Sequence, residues 1–138
     1  MSENKIGQRK TKQRELILNA ISSAPGPISV NEITEILDES GNSTGIATIY
    51  RTINLLVEKK LISCVRLQDA VQRYEAANTP HHHHFHCEVC DKVYDIKGCY
   101  LHFHGDDKKI PEGHTISSHE ITFRGICKNC QSELSCNS

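Results

Sequence analysis

Apolar residues recur at helical spacing through residues 11–23, where Leu16, Ile17, Ala20 and Ile21 form one stripe. That period predicts a helix with Thr11 as its N-cap, and Ala24-Pro25-Gly26-Pro27 stops it. Ser29, followed three residues later by Glu32, reads as the capping box of a second helix whose buried stripe is Val30, Ile33, Ile36 and Leu37. The polar run 39–43 breaks the pattern. A third helix is predicted from Thr44 or Gly45 to Lys59, burying Ile46, Ile49, Ile53, Leu56 and Val57 and leaving Thr48, Arg51 and Thr52 on an exposed face. The period then falls to two. Residues 61–65 and 71–75 read as paired strands around a turn at 67–70.

Three short helices followed by a hairpin suggest a winged helix-turn-helix, in which the third helix would enter a DNA groove. The same pattern also describes an ordinary solvated helix surface, so it does not decide the function by itself. Residues 76–80 are weakly structured in pattern and divide the chain into 1–76, a hinge at 77–80, and 81–138. In the second part, 81–88, 92–96 and 115–125 read as strands. Residues 99–110 read as a helix that Gly105 weakens. The expected class is therefore α+β, an N-terminal winged helix followed by a small α/β domain.

Charge changes this picture only locally. A net charge of -1 and a pI near 6.7 carry no global nucleic-acid signature. Residues 1–14, however, hold Lys5, Arg9, Lys10, Lys12 and Arg14 against Glu3 alone, a basic arm suited to phosphates. The N-terminus lacks the apolar segment of a secretion signal, and no apolar run reaches the roughly 20 residues of a membrane span. A soluble cytoplasmic protein is the expectation.

Candidate chemistry is concentrated in residues 81–90, where five histidines lead into Cys87-x-x-Cys90. A second pair, Cys127-x-x-Cys130, follows after 36 intervening residues. Thiolate and imidazole are the ligands of borderline divalent metals, and two such pairs commonly close one tetrahedral, all-thiolate zinc site. In a strand, His81 and His83 share one face while His82, His84 and His86 share the other, so the run can serve two further sites. His86 is expected to be a packing or surface residue, and Cys99 a buried small hydrophobe. There is no His-Glu-x-x-His and no zinc site with a general base beside an open position, which argues against an enzyme.

Thr11-Lys12-Gln13-Arg14 with Ile17-Leu18, the stretch Gly45–Ile53, and the histidine run entering Cys87-x-x-Cys90 and ending at Cys127-x-x-Cys130 together resemble the ferric uptake regulator family of metal-responsive repressors. The resemblance covers about Thr11 to Cys130. It implies a homodimer on a palindromic double-stranded operator, with no small-molecule substrate and no membrane. It matches Tyr50 and Arg51 to the family's DNA-contacting pair and Arg9 and Lys10 to its minor-groove arm, with Thr48 beside them on the recognition helix. It assigns structural zinc to Cys87, Cys90, Cys127 and Cys130. A dimer-domain site is implied at His81, His83, His102 and His119, whose all-imidazole composition suits zinc. A hinge sensor is implied at Glu75, His82, His84 and Asp95, taking Zn2+ or Fe2+, with Mn2+ also possible. The chain departs from the family at Pro27, where many members supply a histidine. The zinc-sensing branch uses positions matching Ser63 and Ala76, and Cys64 is the alternative completing ligand. The function implied is a metal-dependent repressor of metal homeostasis. A peroxide-sensing iron repressor and a zinc store or chaperone are the alternatives.

Overall fold

The chain enters its first helix, α1 (Ser2–Ser23), well before Thr11. Thr11 is therefore an interior residue and not a cap. Its hydroxyl donates to the Gly7 carbonyl at 2.9 Å, the back-bond that threonine makes inside a helix. Lysine, arginine and glutamine are good helix formers, so the basic arm is helical, with Arg9 and Lys10 exposed on it. The computed structural model describes residues 2–99 and 110–136. The expected helix at 99–110 falls on the remainder, outside the described residues. No helix among the described residues is long and apolar enough to cross a membrane.

The chain divides into two units, 1–79 and 80–138. In the first, a two-residue strand β1 (Ile28–Ser29) leads into α2 (Val30–Glu39), followed by α3 (Ile46–Glu58), β2 (Ile62–Arg66) and β3 (Gln72–Ala76). Ser29 caps α2: its hydroxyl accepts from the Glu32 backbone N–H at 3.3 Å. The sheet order is β1-β3-β2, all antiparallel, so β3 is central and two-residue β1 exists only through its pairing with Tyr74 and Arg73. Ile17, Ile21, Ile33, Leu37, Ile49, Ile53, Leu56, Ile62 and Tyr74 form the core between the helices and this sheet.

Four positions depart from the predicted stripes. Ile36, Ile46 and Val57 are exposed, whereas Thr52 is buried and donates its hydroxyl to the Thr48 carbonyl at 2.9 Å. Each lies at the margin of an apolar stripe, where the width of the covering sheet and not the period decides burial.

The second unit contains β4 (His82–Cys87), β5 (Val93–Lys97), β6 (Thr122–Gly125) and α4 (Lys128–Cys136). Its sheet has the order β5-β4-β6, with β4 antiparallel to β5 and parallel to β6. The strand expected over 115–125 is confined to β6, because the ladder with β4 begins only at the His84–Thr122 pair. Its buried cluster is sulfur: Cys87, Cys127 and Cys130, with Phe85 and Tyr94 packed against them.

Candidate functional site

Local turns bring the four cysteines together. Beyond Cys87 at the end of β4, the chain reverses through Asp91, which adopts a left-handed φ of 61°. The Asp91 N–H donates to the Cys87 carbonyl and the Cys87 N–H to the Lys92 carbonyl, each at 3.0 Å. Gly125 closes β6 beside β4 and accepts from the Glu88 N–H at 2.8 Å, which carries Cys127 to the same end of the sheet. There α4 begins, and its first turn supplies Cys130.

The four sulfurs lie within 4.8 Å of one another, with Cys90 Sγ 3.8 Å from Cys127 Sγ. A disulfide holds its sulfurs at about 2.05 Å. A tetrahedron with metal–sulfur bonds of about 2.3 Å separates its corners by about 3.8 Å, so the donor set fits zinc. Burial raises the Cys87 thiol, but backbone N–H groups of Cys90, Cys127 and Val89 outweigh it and lower the pKa to about 6. The Cys130 backbone N–H likewise lowers Cys127, whereas burial pushes Cys130 up. Tyr94, half-buried beside Cys127, is raised to about 12 by desolvation and then by Cys127, and stays a neutral phenol.

Strand alternation sorts the histidines. On one face, His84 opposes Asp95 across the β4–β5 ladder and His82 stands two residues along. Their Nε2 atoms lie 3.6 and 3.7 Å from Asp95 Oδ1. The Pro80 carbonyl, 2.8 Å from His82 Nδ1, fixes that ring with Nε2 toward Asp95, the orienting contact typical of metal-binding imidazoles. His86 is buried, 3.2 Å from Asp91 Oδ1, and braces the cysteine turn.

The other face carries His81, His83 and His119. The β4–β6 pairing offset, continued backward from Thr122, sets His119 beside His81, and their Nε2 atoms are 3.2 Å apart. His83 is buried, and burial followed by the neighbouring His81 and His119 lowers its pKa, favouring the neutral ring that binds metal. His102 lies outside the described residues. Cys99 is not the buried small hydrophobe expected. It is half-buried with Sγ 3.0 Å from His119 Nε2. Nothing in its sequence neighbourhood signals this, because the contact spans 20 residues of chain.

In the first unit, Glu75 lies half-buried on β3, directly opposite Ser63. Cys64 opposes Tyr74 instead and so belongs to the other face of the sheet from Glu75. That removes Cys64 as the residue completing a site around Glu75. Pro27 is fully buried and serves the core. On α3, Tyr50 and Arg51 are exposed, with Arg51 donating to the Thr48 hydroxyl at 3.3 Å.

A family model described as the ferric uptake regulator family matches residues 5–124. The ferric uptake regulation protein of Campylobacter upsaliensis is 32% identical over 128 residues, covering 90% of this chain and 81% of that protein. The solved ferric uptake regulator of Francisella tularensis with iron is 25% identical at a TM-score of 0.61, covering 86% of this chain and 90% of that one. FurB of M. tuberculosis, a zinc uptake regulator, is also 25% identical, at a TM-score of 0.50 with 90% and 96% covered.

Proposed function

The chain belongs to the ferric uptake regulator family, and on that premise we propose that it is a zinc-responsive repressor acting as a homodimer on a palindromic operator. As a member of that family it is a metal-responsive transcriptional regulator and not an enzyme. The observation carrying the finer reading is that β4 presents metal-binding groups on both faces, apart from its terminal cysteine cluster.

In this reading the first unit is a winged helix, with α3 in the major groove and the β2–β3 hairpin as the wing. Arg51, with Arg9 and Lys10 of α1, neutralises phosphates, while Thr48 and the exposed Tyr50 ring reach base edges. Arg51→Ala should weaken operator binding by about 1–3 kcal/mol and, if the contact is to phosphate, flatten the salt dependence by about one ion. Fluorescence anisotropy over a salt series reads both, and an unchanged affinity would contradict the assignment.

Cys87, Cys90, Cys127 and Cys130 hold a structural zinc. His82, His84 and Asp95 hold the sensed ion, and the family resemblance assigns Glu75 to the same ligand set. The bound cation stabilises the DNA-binding state only to the extent that it binds that state more tightly than the other. Asp95 offsets one of the two charges of a divalent cation, and the neutral imidazoles of His82 and His84 donate lone pairs without adding charge.

The test is operator binding by chelated protein titrated with zinc, iron(II) and manganese, repeated with His84→Ala and Glu75→Gln. Restoration by zinc alone, lost in both variants, supports the reading. Restoration by iron(II) alone assigns the protein to iron, and indifference to every metal overturns the sensing role.

A further inference from the structure

We propose that Cys99 supplies a thiolate to a second zinc site with His81, His83 and His119, making that site a mixed sulfur–nitrogen centre. The inference builds on the reading that the β4 face carrying His81 and His83 binds a divalent ion, and adds the residue that determines which one.

Three geometric observations converge. First, the candidate ligand atoms of His81, His83, Cys99 and His119 all lie within 4.8 Å of one another. Metal–nitrogen bonds of about 2.0–2.1 Å and a metal–sulfur bond of about 2.3 Å set tetrahedral corners about 3.3 Å apart between nitrogens and about 3.6 Å between nitrogen and sulfur, so the 3.2 Å between His81 and His119 matches and the 3.0 Å between Cys99 and His119 needs an opening of about half an ångström.

Second, His83 is 3% exposed, yet both its ring nitrogens lack a hydrogen-bond partner among the described residues. A buried imidazole left in that condition is destabilising, and an ion bound at one nitrogen removes part of that cost. Its ring lies against both neighbours, with centroids 4.8 Å from His81 and 5.2 Å from His119.

Third, His119 Nε2 meets two donor atoms at once, His81 Nε2 and Cys99 Sγ. One nitrogen has a single lone pair or a single proton to share. Its convergence with a second imidazole nitrogen and a sulfur suits a common cation better than two simultaneous hydrogen bonds.

The position of Cys99 explains the access. β5 ends at Lys97, Gly98 takes a left-handed φ of 85°, and the turn returns Cys99 to β4, whose His83 pairs with Ile96. The consequence is selectivity. A thiolate favours zinc over iron(II) and manganese, which oxygen donors suit better. Three imidazoles and a thiolate, with no oxygen donor among them, make this site a poor one for manganese and iron(II).

The experiment uses full-length protein that keeps one zinc per chain in its four-cysteine cluster. Cobalt(II) is added while released zinc is monitored, so that displacement from the cluster is seen directly. The wild-type protein is expected to bind one cobalt per chain at the His81–His83–Cys99–His119 site, with a thiolate-to-cobalt charge-transfer band. Cys99→Ser should lose that band and bind second-site zinc about tenfold or more weakly. Cys64→Ser, altering an exposed thiol on the other unit, should keep the band. A band that survives Cys99→Ser with the cluster zinc in place overturns the role of Cys99 while leaving a metal regulator intact. Failure of cobalt to bind at all overturns the site. DNA binding indifferent to metal, with the band present, would instead overturn the regulatory reading alone.

Discussion

Cys127→Ser should unfold the C-terminal unit and leave the N-terminal unit folded. Among the described residues the second unit has little apolar core: its buried cluster is Cys87, Cys127 and Cys130, with Phe85 and Tyr94 beside them. A domain of that size without a sizeable apolar core needs a metal or covalent staple. Structural zinc in such sites contributes an apparent 10–16 kcal/mol at neutral pH in model peptides, roughly the total stability of a small domain. A serine hydroxyl does not replace the thiolate, and the change also removes a sulfur lying 3.8 Å from that of Cys90. The expected result is loss of one zinc per chain, with amide protection lost on β4, β5 and β6 and retained on α1, α2 and α3. Retained zinc with a fully protected second unit would disprove structural zinc at these cysteines.

Asp69→Ala should destabilise the N-terminal unit by about 3–5 kcal/mol. Arg73 is 1% exposed on the central strand of the first sheet, held by Ser29 on one side and Val65 on the other. Its guanidinium donates to both oxygens of Asp69, at 2.9 and 2.7 Å, the bidentate geometry in which arginine pairs best. Asp69 Oδ1 also accepts from the Val71 N–H at 3.2 Å and so fixes the turn containing Ala70, whose φ is 62°. The alanine variant removes all of these contacts and leaves a buried cation without its bidentate carboxylate. Combining it with Arg73→Met should recover most of the loss, because a buried ion pair replaced by apolar groups of similar volume is often neutral. Denaturant unfolding followed by helix signal reads both variants. A loss below about 1 kcal/mol in Asp69→Ala would mean that the guanidinium reaches water.

Several features were legible in the chain because they are local. Ser29 with Glu32, the stripes of α2 and α3, the β2–β3 hairpin and the spacing of the cysteine pairs all depend on residues within a few positions of one another. Alternation along β4 likewise separates His81 and His83 from His82 and His84 before any partner strand is known.

Other features depend on distant parts of the chain. β1 has no pattern of its own and becomes a strand because β3 offers a free edge. The exposure of Ile36, Ile46 and Val57 reflects where the covering layer ends. Cys64 falls on the wrong face from Glu75 because register, and not proximity in sequence, assigns strand faces.

By itself, then, the sequence determined which residue types can bind metal, the spacing that pairs the cysteines, and the helices that carry Tyr50 and Arg51. Tertiary structure alone decided that Arg73 is buried against Asp69 and that Cys99 meets His119. Local propensity acts over one turn or one strand, whereas those contacts exist only once pairing registers bring distant segments side by side.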